Sequence, residues 1–184
     1  MKDSAVRRPP RAKRAGLVYL LYFISALLSE ALVGHVPPVT SDAVTLLSTA
    51  LYAWLALLLF ALFAPVSKAL SLTAALFAIA GCIVQELSLF HLATQREALF
   101  FFAFYCLLIG YLIFRSSFLP KGFGFLMMAA GLGWFVYLLP AIPRSLAMSM
   151  EVLGLVAELA LMLRLLIAGV DVRRWNRRIE TALR

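Results

Sequence analysis

Six apolar runs fill most of this chain, and each is about long enough to cross the hydrocarbon core of a bilayer as a helix. They read as helices near residues 17–36, 43–64, 69–92, 97–114, 120–139 and 146–170. The links between them are short, so consecutive helices are expected to lie antiparallel and side by side. Thr40, Ser41 or Asp42 can cap the second helix, and Pro65 ends it, because proline does not continue the hydrogen-bond ladder. Pro120 suits the first turn of the fifth helix, and Pro140 and Pro143 bracket the turn before the sixth. The expected fold is all-α, an integral membrane bundle of six antiparallel transmembrane helices over 17–170. Composition agrees, since 64% of the 184 residues are apolar, against about half in soluble domains.

The chain ends are different in kind. Residues 1–16, MKDSAVRRPPRAKRAG, are basic and are expected to form an unfolded arm. The run after them is too long for the apolar core of a signal peptide, so it reads as an uncleaved first helix. Residues 171–184 can form a short basic amphipathic helix, with Val172, Trp175, Ile179 and Leu183 near one face. Arg173, Arg174, Arg177 and Arg178 lie off that face, and Trp175 is a residue type that anchors at the membrane interface.

The formal charge of +8 could suggest nucleic acid, but the positions of the charges argue otherwise. Of 17 Lys and Arg, all but Arg96, Arg144 and Arg164 fall in the amino arm, the second–third link, the fourth–fifth link or the tail. Those segments share one side of an antiparallel bundle. The positive-inside rule then places both termini in the cytoplasm. The expected partners are membrane lipids, with anionic headgroups at both termini, and a helix–helix partner or second copy, rather than nucleic acid. Cys82 and Cys106 make neither a disulfide framework nor a zinc pattern and read as packing residues.

Candidate chemistry lies where polar groups enter apolar runs. The sixth run carries Glu151, Glu158 and Arg164. Glu30 and Glu86 each stand six residues from the outer end of a predicted helix, about 9 Å inside it. Gln85 adjoins Glu86, and Glu151 and Glu158 are seven apart on one helix face. One reading is an outward-opening polar cavity lined by Glu30, Glu86 and Glu158, able to take a proton, a cation or an amine-bearing ligand. The other is that each carboxyl is protonated or hydrogen-bonded between helices and fixes their packing. Arg164 is expected to reach the inner headgroups. His35 and His91 are weak metal candidates, because each lies five residues from its nearest glutamate and shares no helix face with it. No cofactor is expected. The phenylalanines at 100–102 and 104 read as packing or lipid-facing residues, and Ala129-x-x-x-Gly133 and Ser25-x-x-x-Ser29 are small pairs at helix-contact spacing. No nucleophile–base arrangement or phosphate-binding loop gives support for an enzyme.

The stretches 110–120 (GYLIFRSSFLP), 130–133 (AGLG), Glu158-Leu159 and 166–170 (LIAGV), with Glu30 and Ser41-Asp42-Ala43, resemble a bacterial family of small membrane proteins catalogued as domain of unknown function 4386. The resemblance runs over about residues 16–172. It implies six spans in a bacterial cytoplasmic membrane and no established activity, with Glu30 and Glu158 as the matched membrane carboxyls. Where members carry polar residues in the third helix and a histidine in the fourth, this chain has Ala78, Gly81 and Phe104-Tyr105. The functional expectation is a membrane protein binding a small or lipid-like ligand or a membrane partner. The alternatives are a proton- or cation-coupled transporter component using the glutamates, and, third, a lipid-modifying enzyme.

Overall fold

The computed structural model describes residues 10–140 and 142–182; residues 1–9, the greater part of the expected arm, lie outside the described residues, as does Leu183. The described chain is helical: α1 (Pro10–Leu32), α2 (Pro38–Phe63), α3 (Lys68–Leu89), α4 (Gln95–Arg115), α5 (Lys121–Tyr137), α6 (Arg144–Leu163) and α7 (Val172–Ala182). Each of α1 to α5 packs on its successor, and α6 with the turn that follows it returns onto α1, closing a ring of six.

The surface identifies the solvent. Leu27, Trp54, Leu76, Phe125, Leu132 and Leu155 are all exposed, on helices all around the ring. A water-soluble protein of this size does not expose apolar side chains so continuously. The interior mixes large apolar side chains such as Leu55, Leu59 and Phe63 with small and hydroxyl residues. Ser29 on α1 shares a 2.6 Å hydrogen bond with Thr45 on α2, and Ser71 on α3 donates to the Phe60 carbonyl of α2 at 2.8 Å. Between membrane helices, such groups stand in for the hydrophobic drive that lipid removes.

Four helices, α1 to α4, are long and apolar enough to cross a membrane by length and composition. The sixth expected span passes only as a bent pair, Arg144–Ala168 with Val172–Thr181, turned by 99°. The fifth is 17 residues, about 25 Å at helical rise and shorter than the ~20 residues a span ordinarily needs. All six expected helices are present, but four or five of them meet the spanning criterion rather than six.

Several boundaries differ from expectation for identifiable reasons. The first helix begins at Pro10, not at residue 17. Proline is tolerated in a first helical turn, and the Arg-Ala-Lys-Arg-Ala run after it favours helix. Ala12 and Ala15 of this basic turn are buried. The second helix begins at Pro38, so Thr40, Ser41 and Asp42 lie inside its first turns and none caps it. The third ends at Leu89, where Leu92 N–H bonds to the Leu87 carbonyl and His91 N–H to that of Ser88, both at 3.1 Å. This is a Schellman ending, and it sets His91 at φ 57°, the left-handed position glycine usually holds. Thr94 and Glu97 form a reciprocal capping box at the start of α4.

The small residues act at particular crossings. A Cβ on Gly124 would lie 2.7 Å from the Gly110 carbonyl oxygen, and one on Gly131 would lie 2.8 Å from that of Ala103. These glycines let the backbones of α4 and α5 touch. Ser25 and Ser29 are buried, as their spacing suggested. Ala129 is exposed, and Gly133 meets Met150 and Leu153 of α6 without it.

At one end of the bundle the chain makes its sharpest change. Arg164–Ala168 widens into a π-helical turn and Gly169, at φ 63°, ends it. Helix α7 then folds back under the bundle. Its Asp171 N–H bonds to the Phe118 carbonyl in the α4–α5 link, and the Trp175 indole N–H donates to the Leu62 carbonyl of α2 at 3.1 Å. That carbonyl belongs to the last turn of α2, which has no helical donor ahead of it. Trp175 is only 8% exposed. It therefore caps α2 from within the bundle, a packing role that its residue type alone did not suggest. The end of α2, the α4–α5 link and the tail thus share one end of the molecule, as antiparallel alternation requires.

Candidate functional site

The centre of the ring is a carboxyl among phenols. Glu158, fourteen residues into α6, stands about 21 Å along that helix from Arg144. It is partly buried, and the Tyr52 hydroxyl of α2 donates to its Oε1 at 3.3 Å. The hydroxyl of Tyr19 on α1 also faces the carboxyl. Tyr52 is packed between Tyr22 and Tyr105, with ring centroids at 4.8 and 5.8 Å, and meets Phe102 edge-on at 5.3 Å. Tyr19, Tyr52 and Tyr105 are almost wholly buried. Three helices, α1, α2 and α4, thus bring tyrosines around one acidic side chain on α6. A carboxyl and phenols at this depth can share or pass a proton, and they also bind the helices together, because an unpaired polar group in an apolar core is costly.

These tyrosines were not singled out by reading the sequence. The signal was there: each is a polar tip inside an apolar run, the same criterion that selected the glutamates. What sequence does not show is that residues 19, 52, 105 and 158 converge.

The second polar feature lies on the outside of the ring, between α2 and α3. A cavity of about 340 Å³ runs along Leu46, Ala50, Ile79 and Phe90, with Thr49 and Glu86 on its wall. Thr49 is 6% exposed, and among the described residues neither its Oγ1 nor Oε1 of Glu86 has a hydrogen-bond partner. Two orphaned polar atoms in a wall otherwise apolar are unusual, since nearly all buried polar atoms are paired. With α3 ending at Leu89, Glu86 is three residues from the helix end, about 4.5 Å rather than 9 Å inside it.

The other candidates are placed apart from both. Glu30 is exposed, two residues from the end of α1, which stops at Leu32 instead of continuing to residue 36. Glu151 is exposed near the start of α6, beside Tyr137 of α5. Gln85 is partly buried next to Glu86, and its carbonyl accepts from Ser88. His35 is exposed with Nδ1 3.1 Å from the Val33 carbonyl, and exposed His91 shapes the end of α3. Among the described residues no three His, Cys, Asp or Glu side chains gather at metal-binding spacing. Arg164 opens the π-helical turn, partly buried, while the ion pair among the described residues joins Arg174 to Asp171 at 3.2 Å. Cys82 and Cys106 are free, buried thiols. Glu158, Glu86 and Glu30 therefore occupy three different settings: a phenol-lined core, a groove wall and an exposed helix end.

No curated protein and no solved structure matches the chain. The matched family model leaves Glu30 and Ser41–Ala43 outside it and includes Glu158, so it covers less than the resemblance over 16–172 implied. Residues 90–169, from the end of α3 to the close of the π-helical turn, match the family described as Domain of unknown function (DUF4386), to which this part of the chain is similar.

Proposed function

We propose that this chain is a six-span protein of a bacterial cytoplasmic membrane, with both termini cytoplasmic, that binds a lipid-like molecule in the groove between α2 and α3. The observation that carries this reading is the pair of orphaned atoms, Thr49 Oγ1 and Glu86 Oε1, on the wall of an otherwise apolar cavity. The groove surface itself is apolar, so a ligand's apolar body would lie along Leu46, Ile79 and Phe90, and turning the covered Thr49 and Glu86 side chains towards it would let one hydroxyl or amine head satisfy both atoms. The fifth helix, though short, completes the set by packing along α4 and α6. Orientation rests on the distribution of Lys and Arg.

The test is purification of the full chain in mild detergent with mass-spectrometric identification of the lipids it retains. Thr49→Val keeps the shape and removes the hydroxyl, and Glu86→Gln removes the charge. Loss of one retained species from both variants is the expected result. An unchanged lipid set in both would remove the groove as the binding site. A reporter fused after Arg184 that is found outside the cell would overturn the orientation.

A second reading has its own observation. Glu158, bonded to Tyr52 and faced by Tyr19, is an ionisable carboxyl in the middle of the bundle, a group able to take and give a proton. In that reading the protein couples proton movement to the ligand. Glu158→Gln in reconstituted vesicles would then abolish any proton-dependent flux, whereas flux unaltered by this change would eliminate the reading.

A further inference from the structure

The end of the bundle where α7 folds back carries a second, chemically different basin. Arg115 and Lys121 from the α4–α5 link and Arg174, Arg177 and Arg178 from α7 border two adjoining open cavities of about 510 and 420 Å³, which share Ser117, Arg174 and Arg178. Five cations around two adjoining cavities repel each other, and an anion between them relieves that repulsion. Among the described residues the carboxylate bonded to the set is Asp171, on Arg174.

The cations are held rather than loose. Arg174 donates to the Ser117 carbonyl at 3.1 Å, and Arg178 to the Arg115 carbonyl at 3.0 Å. The Lys121 ammonium stands 5.2 Å from the centroid of the Phe114 ring, and the Arg115 guanidinium 5.9 Å from that of Tyr111. Each arginine bonded to a carbonyl keeps further N–H donors for an anion. Beneath α7, Trp175 and the partly buried Ile179 pack into the bundle, while Arg174 and Arg178 lie against the α4–α5 link.

One flank of the same basin is apolar. Phe114, Leu119 and Pro120 contribute to its lining together with the basic side chains. A small inorganic anion has no use for such a flank, but a phosphodiester attached to acyl chains does. We propose that this basin is a binding site for the phosphate of an anionic lipid headgroup, with the arginines on the phosphate and the acyl chains leaving past Phe114, Leu119 and Pro120. The site is independent of the α2–α3 groove, but it rests on the bilayer placement proposed above.

The test uses the full chain in nanodiscs of phosphatidylcholine with and without phosphatidylglycerol, with the lipids retained after transfer to detergent measured by native mass spectrometry. Arg177→Gln with Lys121→Gln removes two cations that make no carbonyl hydrogen bond, so α7 keeps its anchors. Arg96→Gln with Arg144→Gln serves as a charge-matched control at the opposite end. The expected result is preferential retention of phosphatidylglycerol, reduced about fivefold for each basin cation removed and unchanged in the control. Equal losses in both variants, or none in either, would overturn the site. Inorganic phosphate displacing the lipid at comparable concentration would overturn the lipid source and leave a free-phosphate site. Failure of the bilayer placement is seen separately, as a chain that alkaline extraction releases from membranes.

Discussion

Gly16 offers the sharpest test of how the ring closes. It lies on α1 where that helix crosses the π-helical turn. A Cβ at this position would stand 2.5 Å from the Leu166 nitrogen, 2.6 Å from its Cα and 2.9 Å from the Leu165 carbonyl carbon. All three are backbone atoms, so no side chain can rotate away. Ordinary contact begins near 3.4 Å, and the two elements would have to separate by close to an ångström. Two effects oppose each other in Gly16→Ala. Alanine gains about 1 kcal/mol of helix propensity. Overpacking a tight crossing costs about 1–3 kcal/mol, occasionally more, and here three fixed atoms clash at once. Overpacking should win, giving a net loss of up to about 2 kcal/mol. Thermal unfolding in mild detergent, with Gly122→Ala as reference, measures it. Gly122 has nothing within 4 Å of its added Cβ, so that variant keeps only the propensity gain. If Gly16→Ala were as stable as Gly122→Ala, α1 would not pack on the turn after α6, and residues 10–16 would be the unfolded arm that their charge suggests.

Other consequences are as concrete. Tyr52→Phe removes the hydroxyl that bonds Glu158 with almost no change in shape, and should lower stability by about 1–3 kcal/mol in the same unfolding measurement; no loss would mean the carboxyl is satisfied without it. Trp175→Phe keeps the packing bulk but leaves the Leu62 carbonyl without its donor, so about 1 kcal/mol of stability should go and proteolysis should enter α7 sooner. A tail cleaved at the same rate in both proteins would refute that anchoring. His91→Gly relieves a left-handed side-chain position and should leave the protein as stable or up to about 1 kcal/mol more stable; substantial destabilisation would show that the imidazole has a role beyond the turn. Cys82 and Cys106 should react with a thiol reagent only after unfolding, since both are buried, and prompt modification of Cys106 in the folded protein would contradict the closed core.

The helices were legible in the sequence because a membrane span is a local property: about 20 apolar residues announce themselves wherever they fold. Their number, order and antiparallel links could be read from 17–170, and so could the small pair Ser25 and Ser29 at a contact. The ends were less legible, because helix termini depend on one or two residues. The basic turn after Pro10 continues α1, while His91 closes α3 three residues earlier than apolarity alone suggested. The ends of α1 at Leu32 and of α3 at Leu89 left Glu30 and Glu86 close to helix ends, and only Glu158 kept its depth.

What tertiary structure alone decided is which polar groups meet. A sequence gives the depth of a side chain along its own helix but not its rotation against four others. Glu158 therefore stood out as a charge in an apolar run, yet its phenol partners at 19 and 52 came into view only when α1, α2 and α6 were placed around one centre. The same holds at the end of the bundle where α7 folds back. Trp175 was expected in the headgroups on its type, and packing made it the cap of α2. Its neighbours Arg174, Arg177 and Arg178 read as a scattered basic stretch, and the 99° bend after the π-helical turn gathered them with Arg115 and Lys121 into one basin. Apolar length fixes that a segment enters the membrane, because solvation acts on each segment separately. Sites depend on directions between segments, and those are set only when the helices pack.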